Sequence, residues 1–244
     1  MNQWLHGAWV PWFDAPHNHW CIGAKVHVIA LASRKGGVGK TTLASHLAVA
    51  AEAAGVGLVG LMDTDPQGGL AGWWNARAAE TPEWVDPAGG LTAAVEGCRK
   101  AGFGVLLIDT PPSLSDTIAE VLAVADLVVV PVRPSPNDLR AIGGTVDLAE
   151  AAGKPMVFVI NQATARARIT TQAAIALSQY GAVSPVMIHA RVDFATSMTD
   201  GRTAGELDPT SKSGGEVAAL WTYLQSRLTE GEKRHGASRR RHAA

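Results

Sequence analysis

Short apolar stretches alternate with longer amphipathic stretches from residue 26 to about residue 228. The short stretches predict buried strands at 26–32, 56–62, 105–109, 126–132, 155–161 and 183–189. The longer stretches predict helices near 40–54, 89–101, 115–124, 138–152, 168–180 and 215–228. Strands that alternate with helices usually form a parallel sheet with helices on both faces. The pattern therefore predicts an α/β fold built on a mostly parallel, twisted sheet.

The segment between the first predicted strand and helix has the composition of a phosphate-binding loop. It reads Ser33-Arg34-Lys35-Gly36-Gly37-Val38-Gly39-Lys40-Thr41-Thr42. Its glycines allow successive backbone N–H groups to turn toward one anion, and the helix N-terminus adds partial positive charge. Lys40 would reach the β- and γ-phosphates, and the Thr41 hydroxyl would ligate Mg²⁺. A glycine-rich turn without a ligand is the alternative interpretation.

The residues at two positions indicate which kind of phosphate-binding loop this is. Arg34 stands where the general G-x-x-x-x-G-K-[ST] pattern has its first glycine, and Lys35 follows it. The string resembles the deviant Walker A motif, K-G-G-x-G-K-[ST], of ParA/MinD-type P-loop ATPases. That resemblance implies an ATPase in which Lys35 reaches across a homodimer to the nucleotide of the other subunit. The alternative for Lys35 is a solvated loop cation.

Two further predicted strands end in aspartates. The segment Asp63-Thr64-Asp65-Pro66-Gln67 resembles the D-x-D-P-Q segment of the ParA branch, which implies that Asp65 helps to hold the attacking water. The segment Asp109-Thr110-Pro111-Pro112 resembles the family's Walker B and switch II, which implies that Asp109 faces Mg²⁺. Each segment alone is more typical of a turn or a helix cap.

The resemblance completes a set of predicted site residues. Asn161, at the end of another apolar strand, corresponds to a family asparagine that reads the adenine edge, although a turn-capping Asn is the alternative. The predicted catalytic residues are Lys35, Lys40 and Asp65, and the predicted metal ligands are Thr41, Asp65 and Asp109. The predicted nucleotide contacts are Lys35, Gly36, Gly37, Val38, Gly39, Lys40, Thr41, Thr42 and Asn161. The implied cofactors are ATP and Mg²⁺.

A basic region near the C-terminus resembles the nonspecific DNA surface of the family. The segment 188–212 supplies Arg191, Arg202 and Lys212 as candidates, and Arg166 and Arg168 would supplement them. Solvated surface charges are the alternative interpretation. Ala190 and Asp193 occupy positions where chromosomal ParA proteins are expected to carry arginines, so the strength of DNA binding stays open.

Composition divides the chain into three parts. With 244 residues, 47% apolar and 18% charged, the chain fits one ATPase domain, predicted at 25–229. Residues 1–24 contain four of the eight tryptophans and are too few for an appended helix-turn-helix domain. Residues 230–244 are predicted to be a basic, disordered tail. Because the sequence has no long apolar run and no signal peptide, we expect a cytoplasmic protein. The resemblance to ParA-type ATPases implies that it associates with the nucleoid in its ATP state.

Three classes of function are compatible with the loop. The resemblance favours a Mg²⁺-dependent ATPase that dimerises on ATP, binds DNA nonspecifically and positions a plasmid, chromosome or protein cargo when a ParB-like or other adaptor stimulates hydrolysis. A MinD-like membrane-cycling ATPase is the alternative, but the segment after Leu228 lacks the large apolar residues of an amphipathic anchor. The third class is an iron–sulfur carrier or an ATP-dependent amide ligase. The carrier would need cysteines near switch II, and residues 109–125 contain none. An ATP-dependent amide ligase would share only the fold.

Overall fold

The described part of the chain is organised around one parallel sheet. The computed structural model describes residues 26–112 and 116–242, with side chains described as far as residue 231, so the predicted extension 1–24 lies outside the described residues. The strands are β1 His27–Leu31, β2 Leu58–Asp63, β3 Glu83–Trp84, β4 Phe103–Asp109, β5 Leu127–Val132, β6 Met156–Ile160 and β7 Ala182–Val183. Their order is β3-β2-β4-β1-β5-β6-β7, and all neighbouring pairs are parallel.

Helices connect these strands and cover both faces of the sheet. They are α1 Lys40–Ala53, α2 Gly69–Ala76, α3 Leu91–Lys100, α4 Asp116–Val124, α5 Pro136–Ala141, α6 Gly143–Ala151, α7 Arg168–Leu177, α8 Val192–Ser197, α9 Ala204–Leu207 and α10 Lys212–His242. The predicted α/β architecture is therefore confirmed. Among the described helices, none is long and apolar enough to cross a bilayer.

The alternation of side chains along each strand builds two cores. Ile29 and Leu31 of β1 point to the face covered by α1 and α10, whereas Val28 and Ala30 point to the face covered by α3, α4, α6 and α7. Helix α10 contributes the face predicted from its sequence, Val217, Leu220, Trp221, Leu224 and Leu228, which is buried in the first core. Burial on both sides explains why the central strands are almost continuously apolar.

The sheet order creates a crevice at the carboxyl end of β1. Strand β1 pairs with β4 on one side and with β5 on the other, so the connections leaving the strands diverge at this point. Ligands of open parallel sheets bind at such switch points. The predicted loop follows β1 directly, and Asp109 lies at the adjacent end of β4, opposite Leu31 in the strand register.

Several predicted elements differ from the structure. The strand predicted at 183–189 is reduced to β7, because Pro185 has no N–H with which to continue the ladder; an isolated bridge joins His189 to Ala163. The helix predicted at 138–152 is divided into α5 and α6 at the weakly helical Gly143-Gly144 pair. Strand β3 and helix α2 were not predicted.

The C-terminal helix also differs from its predicted extent. Helix α10 continues to His242, so its backbone is helical over most of the segment 230–244 for which the sequence predicts disorder. Glu, Lys, Arg and Ala in this segment are good helix formers, and no proline interrupts them. The division of the chain into three parts stays a prediction.

Candidate nucleotide-binding site

The loop between β1 and α1 has the backbone shape of an anion-binding nest. Gly37 and Gly39 adopt left-handed conformations, with φ of 70° and 90°, between residues of ordinary handedness. Alternation of this kind turns successive N–H groups toward one side of the chain. The Ser33 hydroxyl accepts from the backbone N–H of Lys35 at 3.3 Å, which fixes the entry to the loop. The structure thus gives the predicted loop the conformation that phosphate binding needs.

Lys40 opens helix α1 beneath this loop. Only 7% of the residue is exposed. Burial lowers the pKa of Lys40, while the charges of Asp109 and Asp65 act in the opposite direction. The ammonium therefore interacts with two carboxylates, one at the end of β4 and one in the loop after β2. A phosphate group entering the nest would meet this charge.

Thr41 and Asp109 form the part of the site that fits a metal ion. The Thr41 hydroxyl donates to Oδ2 of Asp109 at 2.5 Å. Asp109 is 1% exposed, and its other oxygen, Oδ1, is buried without a hydrogen-bond partner among the described residues. Burial raises the pKa of Asp109 to about 7, although the Thr41 hydrogen bond and the charge of Lys40 act in the other direction. An unsatisfied buried carboxylate oxygen beside a hydroxyl suits Mg²⁺, which binds through one or two carboxylates plus substrate phosphates.

The predicted water-holding residue lies in a loop that is tied to the end of β4. Thr64 donates through its N–H and its hydroxyl to the carbonyl of Asp109, at 3.0 and 2.7 Å. Asp63 accepts from the N–H of Asp65 at 2.9 Å and from the first free N–H groups of α2, those of Leu70 and Ala71. Sequence reasoning missed the anchoring roles of Asp63 and Thr64, although the paired aspartates were a signal for them.

The remaining loop residues occupy distinct environments. Val38 is buried, Lys35 is partly exposed, and a Cβ built on Gly36 would lie 3.9 Å from Cβ of Pro112. The Thr42 carbonyl accepts from a ring nitrogen of His46 at 2.8 Å. Lys35 is therefore partly open to solvent at the start of the loop, and its action on a second subunit stays a prediction.

Asn161 is placed below the loop rather than at its edge. Its amide Nδ2 donates to the Val38 carbonyl at 2.6 Å, and the residue is 5% exposed. The neighbouring Gln162, which sequence reasoning missed, donates from Nε2 to the Gly37 carbonyl at 3.0 Å. The amide that was predicted to read adenine is thus bonded to the phosphate loop in this conformation.

The three DNA-binding candidates differ in their availability. Arg191 forms two hydrogen bonds to the carboxylate of Glu216, at 2.5 and 2.7 Å. Arg202 is paired with Asp200 on an exposed turn. Lys212 is exposed at the start of α10 and pairs with no described acidic residue. Arg166 and Arg168 are exposed before and at the start of α7.

The basic candidates are not all neighbours. Asp193 of α8 accepts from the Ser213 hydroxyl of α10 at 2.6 Å, which brings Arg191 and Lys212 to the same region. Arg202 lies in the turn that packs against α2, where its carbonyl accepts from Nε1 of Trp73. The structure therefore supports one small basic region around Lys212 and a separate arginine at 202.

Known proteins resemble both the sequence and the fold. Residues 29–204 match the family described as the CobQ/CobB/MinD/ParA nucleotide binding domain. The chromosome-partitioning ATPase Soj of Thermus thermophilus is 30% identical over 248 aligned positions, covering 86% of this chain and 99% of Soj. Maintenance of carboxysome distribution protein A of Halothiobacillus neapolitanus is 28% identical over 207 positions, covering 79% of this chain and 93% of that protein.

Solved structures share the fold at low sequence identity. The septum site-determining protein MinD of Pyrococcus horikoshii, complexed with Mg-ADP, superposes with a TM-score of 0.66 at 17% identity and covers 84% of this chain and 98% of its own. A Cyanothece McdA variant in complex with ATP has a TM-score of 0.64 at 14% identity, covering 86% and 97%. Fold, loop and sequence agree, and the chain belongs to the CobQ/CobB/MinD/ParA family of nucleotide-binding domains.

Proposed function

We propose that this chain is a Mg²⁺-dependent ATPase that dimerises on ATP, binds DNA without sequence preference and positions a cargo. The family is that of ParA/MinD/McdA-type positioning ATPases. The observation that carries the nucleotide chemistry is the buried Asp109 carboxylate, which has one oxygen bonded to Thr41 and the other without a partner among the described residues. Burying such a carboxylate costs free energy unless a cation binds its unsatisfied oxygen.

The site residues have different proposed roles in phosphoryl transfer. The N–H groups of 36–42 and the ammonium of Lys40 would hold the phosphates of ATP, and Thr41 and Asp109 would hold Mg²⁺. Mg²⁺, when bound, neutralises charge on the phosphates and fixes their orientation. Asp65, whose charge acts on Lys40, would orient the attacking water. Lys35 of one subunit stabilises the transferring phosphate in the other, which couples hydrolysis to dimerisation.

The named relatives support a positioning role but leave the cargo open. Soj is named for chromosome partitioning, and the Halothiobacillus protein for carboxysome distribution. For this chain we propose a cycle in which the ATP-bound dimer rests on DNA in the nucleoid and an adaptor, ParB-like or other, stimulates hydrolysis and release. Lys212, Arg202 and Arg191 are the proposed DNA contacts, with Lys212 the most available.

DNA retention measured against salt tests this proposal. With ATP, log affinity should fall linearly with log salt, with a slope of about −0.9 per phosphate neutralised, and should not depend on base sequence. Lys212→Ala should reduce the apparent number of phosphate contacts by about two per dimer. Arg191→Ala should reduce it less, because Glu216 already holds that guanidinium. Lys100→Ala, on the opposite side of the sheet, is the matched control.

Two results would overturn the DNA assignment. If the slope of log DNA affinity against log salt is the same for Lys212→Ala and wild type, the region around Lys212 does not contact DNA. Absence of ATP-dependent retention on DNA at about 50 mM salt, together with sedimentation on vesicles of anionic lipid, would replace the DNA cycle by a membrane cycle.

A further inference from the structure

Two amides at the end of β6 are bonded to the back of the phosphate loop. Nδ2 of Asn161 donates to the Val38 carbonyl at 2.6 Å, and Nε2 of Gln162 donates to the Gly37 carbonyl at 3.0 Å. The contact is close, since a Cβ added at Gly39 would lie 2.3 Å from Nδ2 of Asn161. The two side chains thus hold two consecutive carbonyls of the loop that carries Lys40.

The amides are themselves firmly anchored. The N–H of Asn161 donates to the Val132 carbonyl at 2.9 Å, which continues the pairing of β6 with β5. The N–H of Ala163 donates to the Ile188 carbonyl at 2.9 Å, so the chain is held on both sides of the pair. Gln162 adopts φ of 53°, a left-handed conformation that a glutamine rarely takes and that its surroundings must stabilise.

The direction of these hydrogen bonds matters for anion binding. A peptide unit whose carbonyl is held on one side directs the N–H of the same unit to the other side, because the unit is planar and trans. Holding the Gly37 and Val38 carbonyls therefore fixes the orientation of the next N–H groups, those of Val38 and Gly39. These belong to the nest proposed to receive phosphate.

We propose that Asn161 and Gln162 are positioning residues that preorganise the phosphate loop by holding its Gly37 and Val38 carbonyls. This inference rests on the proposed function, since it assigns the loop a triphosphate. It gives Asn161 a role different from adenine recognition. Removing its amide should weaken the binding of the phosphates, whatever base the nucleotide carries. A preformed loop binds phosphates more tightly because the loop loses less conformational freedom on binding.

Binding of three probes separates the two roles. Mg-ATP, Mg-ITP and Mg-tripolyphosphate would be titrated into wild type, Asn161→Ala, Gln162→Met and the double variant. Methionine matches the length of glutamine without its N–H donors, and Gln162 is exposed, so Gln162→Met should fold normally. Gln172→Met, on exposed helix α7, is the matched control.

The proposal predicts a uniform loss. Each single variant should weaken the binding of all three probes by a similar factor, about three- to tenfold for one hydrogen bond. The control variant should bind them as wild type does. A loss confined to ATP, with ITP and tripolyphosphate unchanged, would make Asn161 a base-reading residue and overturn the proposal. Unchanged binding of every probe would overturn it as well.

Amide hydrogen exchange tests the same inference without ligand. In the nucleotide-free protein, the peptide covering 34–41 should exchange faster in Gln162→Met than in wild type or Gln172→Met, because the loop loses a restraint. Equal exchange would contradict the proposal whatever the ligand results. If wild type binds no probe while Gln162→Met still speeds exchange, the proposed function fails and the positioning role stands.

Discussion

At the scale of single residues, three aspartates near the loop have different environments that imply different roles. Asp109 is buried, and one of its oxygens has no partner in the part of the chain that the structure describes, which suits a metal ligand. Asp63 accepts three backbone hydrogen bonds and is fully engaged in holding α2 and the adjacent loop. Asp65 is partly exposed, and its carboxylate accepts only from the N–H of Gln67 among the described residues. Of the two aspartates in the loop after β2, Asp65 is therefore the one whose carboxylate keeps more acceptor capacity for a water molecule.

Replacing Asp65 should separate turnover from binding. Asp65→Ala should bind Mg-ATP with affinity close to wild type, while steady-state hydrolysis falls roughly 100-fold, the usual scale for loss of a general base or water-orienting group. Asp63→Ala is the comparison: it removes three hydrogen bonds and should lower the thermal midpoint instead. Parent-rate hydrolysis by Asp65→Ala would exclude the assigned role.

At the scale of elements, helix α2 connects the aspartate loop to the C-terminal part of the domain. Its first turn is capped by Asp63, and its C-cap residue Arg77 donates to the Gly201 carbonyl at 2.7 Å and pairs with Glu206. The guanidinium also lies 5.2 Å from the ring centroid of Trp73, a cation–π contact. The turn at Gly201 packs so closely on this helix that a side chain there has no room.

Gly201→Ala tests this close packing. Gly201 has φ of 76°, and a Cβ would lie 2.3 Å from the backbone N and Cα of Arg77. We expect a loss of about 1–3 kcal/mol in the free energy of unfolding, and a thermal midpoint lower by roughly 2–4 °C per kcal/mol. Gly215→Ala in α10, where a Cβ meets nothing within 4 Å, should leave stability equal or slightly higher. Similar midpoints for both variants would refute the packing argument.

At the scale of the whole molecule, the sheet order brings together segments that are far apart in sequence. The alternation of apolar and amphipathic stretches was enough to predict the parallel sheet, and with it that Lys40, Asp65 and Asp109 follow or end strands at the same edge of the sheet. Partners could not be predicted in the same way, because contacts such as Arg191 with Glu216 and Asn161 with Val38 depend on how separate elements pack. Helix α2 was missed since its N-cap is Gly68, its own sequence contains two glycines, and the carboxylate that accepts from its first N–H groups, Asp63, lies well before the helix.

The central claim is that the loop, with Lys40 beneath it, is a site for the phosphates of Mg-ATP. Calorimetric titration of Mg-ATP into wild type, Lys40→Ala and the exposed-lysine control Lys100→Ala measures this directly. Loss of a preorganised charged contact costs a few kcal/mol, so Lys40→Ala should bind roughly a hundredfold or more weakly while Lys100→Ala equals wild type. Unchanged affinity in a folded Lys40→Ala protein would contradict the account.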